Sequence, residues 1–357
     1  VDLLAAVDHQ TGTLHLIFAP PLERLLGEPR EKLYREGCDR LAELQARLSV
    51  PGPVHQRHPG TFPAPGLLQV IPDQPRDAYV ERVRRCQDYI RAGDIYQANL
   101  SHRFCIDFSS PSPPPLPLGG RGMGEEAAQI LYARLRKVNP SPFSALLVSD
   151  DVCLVSSSPE RLVRLQGRRV DTRPIAGTRP RGRDRAEDRR LAEDLITNAK
   201  ERAEHLMLVD LERNDIGRVC GYGTIRVDEL MLVERYSHVS HIVSNITGAL
   251  HDKFDGLHLI RAMFPGGTIT GVPKIRCMEI IEELEPVRRG LYTGSLGYLS
   301  WSGDLDLNIL IRTLVLTGGR GYLQVGAGIV ADSDPDREYE ETLFKAEALM
   351  QALRADS

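Results

Sequence analysis

The chain has 357 residues, of which 41% are hydrophobic and 26% charged, and its formal net charge is −4. These values are typical of a globular protein of one or two domains, and they exclude the basic excess that binding to nucleic acid or to an anionic membrane surface requires. No apolar run approaches the roughly 18 residues needed to span a bilayer. Six widely spaced cysteines favour free thiols in a reducing cytoplasm over a disulfide framework or a zinc site.

The N-terminal part of the chain is predicted to contain few regular elements. A short strand is expected at 14–18, followed by a helix with apolar spacing through Leu48. The Pro- and Gly-rich stretch 51–76 is predicted to be a linker. A helix is then expected at 76–92 and a strand at 96–108.

Residues 109–124 (SSPSPPPLPLGGRGMG) form a low-complexity stretch, which predicts a mobile surface insertion. Beyond it, the periodicity predicts strands at 143–147, 152–157, 162–165, 294–301, 307–316 and 321–330. Helices are predicted at 185–211, 257–263, 272–284 and 337–353. Consecutive strands between helices favour an α+β fold with large antiparallel sheets over a doubly wound parallel sheet.

The C-terminal helix places Glu338, Glu341 and Lys345 on one face, at i, i+3 and i+7. Taken alone, this pattern favours a surface face with a Glu341–Lys345 ion pair. The preceding segment, 326–330 (GAGIV), is a Gly-bounded strand end whose backbone amides can approach an anionic ligand closely. A ligand site at this strand–helix junction is therefore the competing hypothesis.

Four further features are ambiguous from the sequence. Glu204 is either a helix-edge residue or, if a second carboxylate converges on it, a ligand of Mg²⁺, which prefers sparse oxygen sites. Arg312, inside an apolar run, must meet either an internal acid or a ligand carboxylate. His241 is either a satisfied core histidine or a general acid. The glycine-rich stretch 264–276 (FPGGTITGVPKIR) is either a tight loop or an anion-binding helix start.

These segments together resemble the chorismate-utilising enzymes: anthranilate synthase component I, aminodeoxychorismate synthase component I, and the isochorismate and salicylate synthases. The matching runs are DIYQANLSHRF (94–104), SSSPERL (156–162), PIAGTRPRG (174–182), ERAEHLMLVDLERNDIGRV (201–219), FPGGTITGVPKIRCMEIIEELEP (264–286) and GAGIVADSDPDREYEETLFKAEAL (326–349). They occur in the family's order over about residues 77–355.

The resemblance implies a four-layer α/β/β/α fold of two packed antiparallel sheets flanked by helices. It implies a chorismate-binding catalytic domain at 77–357, preceded at 1–76 by a remnant of the family's N-terminal region. It also implies Mg²⁺ held by Glu204 and Glu341, with Glu338 as a direct or water-mediated ligand.

Further roles follow from the same resemblance. Substrate carboxylates are expected at Arg312, at the backbone amides of Gly326, Ala327 and Gly328, and at Lys345. Thr178 is expected to bind substrate as well. Among the catalytic residues, Thr268 would contact the same end of the substrate, Glu160 would act near the ring as an acid or base, and His241 would assist at the reacting face.

Two positions bear on the reaction. Water-adding relatives carry a lysine where this chain has Gln97, and a glutamine cannot act as a base, so Gln97 indicates amination by ammonia. Ammonia in turn implies a glutamine amidotransferase partner. Ala176 stands where many aminodeoxychorismate synthases carry a lysine that adds covalently to the ring, and anthranilate synthases have alanine there.

Four other similarities, in YQANLS, NPSPFSALL, DLERND and PGGTITG, favour the aminodeoxychorismate group. The sequence therefore predicts an aminodeoxychorismate synthase in which ammonia adds directly. An anthranilate synthase is the alternative, and a catalytically inactive chorismate-binding homologue is a third possibility.

Overall fold

The structure is a computed structural model that describes residues 2–49, 69–108, 123–235 and 239–354. Its helices are α1 (Leu22–Gly27), α2 (Arg30–Ser49), α3 (Arg76–Arg91), α4 (Met123–Val138), α5 (Arg185–Thr197), α6 (Ala199–Gly217), α7 (Gly256–Met263), α8 (Lys274–Leu284) and α9 (Pro335–Arg354). Its strands are β1 (Leu3–Asp8), β2 (Thr13–Phe18), β3 (Gln69–Pro72), β4 (Gln97–Asp107), β5 (Phe143–Val148), β6 (Cys153–Ser158), β7 (Arg161–Gln166), β8 (Arg169–Thr172), β9 (Ile175–Pro180), β10 (Arg226–Arg235), β11 (Val239–Ala249), β12 (Gly271–Val272), β13 (Gly297–Leu299), β14 (Leu305–Asn308), β15 (Thr313–Thr317) and β16 (Arg320–Ile329).

The chain divides into two compact units, Val1–Thr61 and Phe62–Ser357. In the first unit, β1 and β2 form an antiparallel hairpin in register from Leu3↔Phe18 to Asp8↔Thr13, and α1 and α2 follow. Most apolar side chains of this hairpin are exposed or only partly buried. The assignment of residues 1–76 to an N-terminal remnant stays a prediction.

The second unit contains two seven-stranded sheets, and every pair of neighbouring strands is antiparallel. Sheet I has the order β12-β4-β16-β15-β6-β5, with β3 also paired to β4. Sheet II has the order β10-β11-β8-β7-β14-β13, with β9 also paired to β11. Helices α3, α4, α8 and α9 pack on sheet I, and α5, α6 and α7 pack on sheet II. The predicted α+β, four-layer fold is confirmed.

Alternation along β4 shows why a strand of this sequence has one apolar and one polar face. Ala98 and Leu100 lie in an apolar core with α3 and α8, whereas Gln97 and Asn99 point the other way. Successive side chains of a strand lie on opposite faces, so the helix-facing positions are apolar and the remaining ones are free to carry polar groups. β4 therefore supplies both a core wall and a polar surface.

The two sheets are joined twice by short crossovers. β6 in sheet I continues into β7 in sheet II through residues 159–160, and β14 in sheet II continues into β15 in sheet I through residues 309–312. The crossovers run side by side, because the Ile309 amide donates to the Glu160 carbonyl at 3.0 Å and the Ser157 amide donates to the Arg312 carbonyl at 3.1 Å.

Several sequence predictions of elements were wrong in detail. The helix expected at 185–211 is two helices, because Asn198 is extended (ψ 115°) and its side chain accepts from the Glu201 amide, which caps α6. The strand expected at 307–316 is split at Arg312, whose φ is +49°. The strand expected at 294–301 shortens to β13.

Other elements were not predicted, notably α4 and the long strands β10 and β11. The predicted linker 51–76 ends in β3, which pairs with β4, while its residues 51–68 lie outside the described ranges. Residues 109–122 of the predicted insertion also lie outside them, and α4 begins at Met123. Among the residues described, no helix combines the length and apolarity needed to cross a membrane.

Candidate active site

A cavity of about 600 Å³ is lined by residues of both sheets and of α6 and α9. It contains almost every residue that the sequence singled out for chemistry: Gln97, Glu160, Ala176, Glu204, His241, Thr268, Arg312, Gly326, Gly328, Glu338, Glu341 and Lys345. These positions are spread over more than 240 residues of sequence, roughly the length of a whole domain. The fold thus brings together what the motifs only suggested.

The cavity floor consists of Gln97 and Asn99 on β4 and Gly326 and Gly328 on β16. The amides of Asn99 and Ser101, opposite the two glycines, donate to acceptors outside β16. These are therefore non-hydrogen-bonded pairs, and the glycine amides and carbonyls point away from β4. Ala327 has the opposite orientation: its side chain is buried in the core, and its backbone groups point toward β4. Of the three predicted amide donors, the structure brings only those of Gly326 and Gly328 to the cavity side.

The two floor glycines are required by their neighbours. A Cβ at Gly326 would lie 2.5 Å from Asn99 Oδ1 and 2.9 Å from the Tyr292 hydroxyl oxygen, and a Cβ at Gly328 would lie 2.6 Å from Gln97 Nε2. Real Cβ atoms do not approach so closely, so a side chain at either position would displace the amides. Because Gly326 and Gly328 have no side chains, they leave room for the side-chain amides of Gln97 and Asn99.

Glu160 lies on the first crossover and is only 5% exposed. Thr268 donates its hydroxyl hydrogen to Glu160 Oε1 at 2.7 Å. Burial raises the pKa of Glu160 to about 7, against the opposing effects of the Thr268 hydrogen bond and of nearby Arg312 and Lys345. Such a carboxyl group can hold or release a proton near neutral pH, which agrees with the predicted acid/base role.

Arg312 is the last residue of the second crossover and adopts a left-handed backbone conformation immediately before β15. Among the residues described, its guanidinium forms neither a hydrogen bond nor an ion pair. Burial lowers the pKa of Arg312 from its ordinary value, and the nearby charge of Glu160 opposes this effect. Because a cation in an apolar setting is costly without a partner, the alternative of a ligand carboxylate is favoured over an internal ion pair.

His241 lies on β11 and is 3% exposed. Its Nδ1 lies 3.2 Å from the Gly177 carbonyl oxygen, which can only accept, so Nδ1 carries a hydrogen. Burial lowers the pKa of His241 to about 4. The neutral ring then has an unprotonated Nε2, which is an acceptor. The Nδ1 side of His241 is thus satisfied by the protein, and the residue lines the cavity.

The carboxylates predicted to bind Mg²⁺ lie on two helices that face the cavity. Glu204 is on α6, and Glu338 and Glu341 are on α9; Glu338 is 8% exposed. Oxygen donors without cysteine or histidine suit Mg²⁺ in kind. In the described ranges, however, no three His, Cys, Asp or Glu side chains converge closely enough to hold a metal ion. The Mg²⁺ assignment therefore stays a prediction, in which substrate oxygens and water would complete the metal's shell.

Lys345 connects the carboxylate helix to the floor. Its Nζ donates to the Gly326 carbonyl at 3.0 Å and forms an ion pair with Glu341 at 2.7 Å. The surface ion pair that the sequence suggested is therefore present, but it lies at the cavity. Thr178 is on β9, opposite His241 in the register with β11, and its side chain lies outside what the structure describes.

Sequence reasoning missed several lining residues, including Asn99, Tyr292 and Gln324. The signal for Asn99 was present, since it follows Gln97 by two residues and therefore lies on the same face of a strand. Tyr292 lies in a turn between α8 and β13, so no strand or helix pattern marked it as a lining residue. In the glycine-rich stretch 264–276, the Thr270 hydroxyl donates to the Gly266 carbonyl at 2.8 Å.

Glu212, also missed, is a second buried carboxyl group, on α6 behind the cavity. Thr172 Oγ1 lies 2.6 Å from Glu212 Oε2 and 2.9 Å from the Leu162 carbonyl oxygen. A hydroxyl has one hydrogen and a carbonyl only accepts, so both contacts are hydrogen bonds at once only if Glu212 is protonated. Burial, with smaller contributions from Glu160 and Asp215, raises the pKa of Glu212 to about 8, against the lowering effects of the Thr172 hydrogen bond and of Lys274.

The fold and the cavity together define an enzyme-like site, in which a buried carboxyl group lies near two cations. The family described as chorismate binding enzyme matches residues 24–351, and the chain belongs to this family. It is 55% identical over 278 residues to an "anthranilate synthase component I-like protein" of Synechocystis. The aligned region covers 78% of this chain and 54% of that protein. It is 52% identical over 277 residues to an "aminodeoxychorismate synthase component 1" of Bacillus subtilis, covering 78% and 56%. The chain thus spans little more than half the length of these relatives.

A solved structure agrees with this assignment. Anthranilate synthase component I from Streptococcus pneumoniae superposes with a TM-score of 0.80 at 34% identity, covering 98% of this chain and 72% of that one. The predicted membership of the chorismate-utilising enzymes is therefore confirmed. The relatives carry two different names, so the particular reaction does not follow from them.

Proposed function

We propose that the chain catalyses the Mg²⁺-dependent amination of chorismate to 4-amino-4-deoxychorismate, with ammonia supplied by a glutamine amidotransferase subunit. The observation that carries the proposal is the floor of the cavity, where Gln97 and Asn99 present neutral amides. Neither can take a proton from water, whereas ammonia is a nucleophile without such help. The proposal therefore favours nitrogen over oxygen as the attacking atom.

The remaining residues have roles that follow from their charge. Arg312 and Lys345 would bind the two carboxylates of chorismate, because they are the cations that line the cavity beside Glu160. Mg²⁺, when bound by Glu204, Glu338 and Glu341, would polarise substrate oxygens and stabilise developing negative charge. His241, a neutral ring that lines the cavity, would contact the substrate at its reacting face.

Glu160 would handle the proton balance. As the ammonia nitrogen bonds to the ring, a ring carbon–oxygen bond breaks, and protonated Glu160 donates its proton so that the hydroxyl leaves as water. The carboxylate then takes a proton from the new ammonium group, which restores Glu160 and leaves a neutral amine. A pKa of about 7 lets the group act in both directions.

Anthranilate synthase is the second candidate, in which amination at the 2-position of the ring, instead of the 4-position, is followed by loss of pyruvate. Ala176 favours it, because this residue lines the cavity where a covalent lysine would otherwise stand. The side-chain amides of Gln97 and Asn99 favour both candidates equally, because both reactions use ammonia. The name of the Synechocystis relative supports the second, and the name of the Bacillus relative supports the first.

Product analysis separates these possibilities. The purified chain is incubated with chorismate, Mg²⁺ and high ammonium, and chorismate consumption is followed. A product that becomes 4-aminobenzoate only after a separate lyase is added is the expected result. Anthranilate fluorescence would establish the second candidate instead, and no consumption at all would indicate an inactive homologue.

The metal assignment has its own test. Replacing Glu341 by Gln removes a charged donor, so Mg²⁺ binding in the presence of chorismate should weaken about tenfold or more by titration calorimetry. Glu340→Gln is the matched control, since Glu340 is exposed on the same helix outside the cavity. Equal Mg²⁺ affinity in the two variants would show that Glu341 is not a ligand.

A further inference from the structure

The cavity floor contains polar groups that have no hydrogen-bond partner in the part of the chain that the structure describes. Gln97 is 8% exposed and Asn99 is 9% exposed. Within the described ranges, Gln97 Oε1 and Asn99 Oδ1 are buried without a hydrogen-bond partner. A buried amide without partners is costly, and native proteins rarely keep one without a ligand or water to fill the vacancy. Two such amides, side by side on one face of a strand, indicate a built site.

The backbone amide and carbonyl of Asn99 and the backbone carbonyl of Gln97, in contrast, all have hydrogen-bond partners. The Asn99 amide donates to the Thr270 carbonyl at 2.8 Å, and the Asn99 carbonyl accepts from Arg289 at 2.6 Å. The Gln97 carbonyl accepts from the Cys277 thiol at 3.1 Å. Strand β4 is therefore fixed while its side-chain amides remain free, which is the arrangement expected of a preorganised binding site.

We infer that Gln97 and Asn99 form a subsite for the attacking ammonia, a small neutral donor of hydrogen bonds, on the cavity floor. The inference rests on the proposed function and names where its nucleophile binds. Two carbonyl oxygens accept two of the three ammonia hydrogens, and the nitrogen lone pair stays free to attack. Asn99 is thus a specificity-determining residue alongside Gln97.

Competing ligands suit this subsite less well. The carboxylates of chorismate have no hydrogen to donate and are attracted instead to Arg312 and Lys345, which line the same cavity. An ammonium ion is attracted to carboxyl groups that line the same cavity, among them Glu204 and Glu341, but it has no lone pair with which to attack. Water fits the space, but two amides do not remove its proton, so water there is unreactive.

The test uses the isosteric apolar variants Asn99→Leu and Gln97→Met in the ammonium-dependent assay with Mg²⁺. Each removes one acceptor, so the apparent KM for ammonia should rise about five- to thirtyfold, while the KM for chorismate stays within about threefold. Cys105→Ala is the matched control, since Cys105 lies on the same face of β4 outside the cavity. Thermal unfolding should be almost unchanged, because the amides have no protein partner to lose.

The outcomes that contradict the inference are distinct. A raised KM for chorismate with an unchanged KM for ammonia would show that the Gln97 and Asn99 amides contact the chorismate ring and do not bind ammonia. A large loss of thermal stability, or no kinetic change, would show that the amides do not form a ligand subsite. No turnover by the wild-type enzyme would overturn the proposed function itself, and the ammonia assignment with it.

Discussion

Two buried carboxyl groups of this protein lie in different regions and have the same kind of partner. Glu160 lines the cavity and meets the Thr268 hydroxyl, whereas Glu212 lies behind the cavity and meets the Thr172 hydroxyl. Burial raises the pKa of Glu160 to about 7 and that of Glu212 to about 8. A perturbed pKa therefore does not by itself identify a catalytic group.

The difference between the two regions is access and charge. Glu160 has two cations nearby, Arg312 and Lys345, and can exchange a proton with a ligand in the cavity. Glu212 has Glu160 and Asp215 as acidic neighbours, with Lys274 the cation that offsets them. We infer that Glu160 serves chemistry, and that protonated Glu212 serves as a structural hydrogen-bond donor between α6 and sheet II.

The largest expected effect is on turnover. Glu160→Gln removes the proton donor and should lower kcat about 10²- to 10⁴-fold. In the wild-type enzyme, kcat should fall as pH rises through about 7, since the acid form is lost there. The measurement is kcat against pH at constant free-base ammonia. A pH profile that is flat from 6 to 8 would argue against the acid role.

A smaller effect is expected for Glu212→Gln, which keeps the shape and stays neutral. The folded-state pKa of Glu212 is raised from 4.5 to about 8, so wild-type stability should decline as pH rises between these values. The variant lacks this contribution, and its Tm should exceed that of the wild type by about 5 °C near pH 8.5 and match it near pH 4.5. Its kcat should stay within about twofold, and a hundredfold loss would place Glu212 in the chemistry instead.

The smallest effects separate the two threonines. Thr268→Val removes the hydrogen bond that lowers the pKa of Glu160, so the decline of kcat should move to higher pH by a fraction of a unit. Thr172→Val should leave the pH profile in place and lower Tm by about 2–4 °C, because Glu212 and the Leu162 carbonyl lose their shared partner. The same Tm and the same dependence of kcat on pH in both variants would contradict the different roles inferred for Glu160 and Glu212.

Much of the fold was predictable because it depends on local patterns. Alternation identified β4 and β16, and helical spacing identified α3, α7, α8 and α9. The breaks were missed for different reasons: Asn198 is a local cap of α6, inside a run whose helical spacing continues, whereas Arg312 lies on a crossover between the sheets. Arg312 in particular lies in an apolar run that matches a strand, yet its φ of +49° divides that run between two sheets.

The candidate site was predictable as a set of residues rather than as a geometry. The motifs supplied Glu160, Glu204 and Glu341 because each motif matches a run of the family, and Arg312 was noted as a cation inside an apolar run. Spacing alone left each of them with an ordinary structural explanation, since it gives no information on which helices and strands meet. The protonation of Glu212 needed the positions of three oxygen atoms, which no sequence pattern contains.

The paired crossovers between the sheets limit the size of the ligand. Two residues, 159–160, and four residues, 309–312, tether one sheet to the other beside the cavity. An extended chain spans at most about 3.5 Å per residue. The two crossovers therefore set an upper limit on the distance between the sheets beside the cavity, whichever side chains fill the space. The height of the chamber is thus fixed by chain length, and a thicker ligand would require an insertion in the tethers themselves.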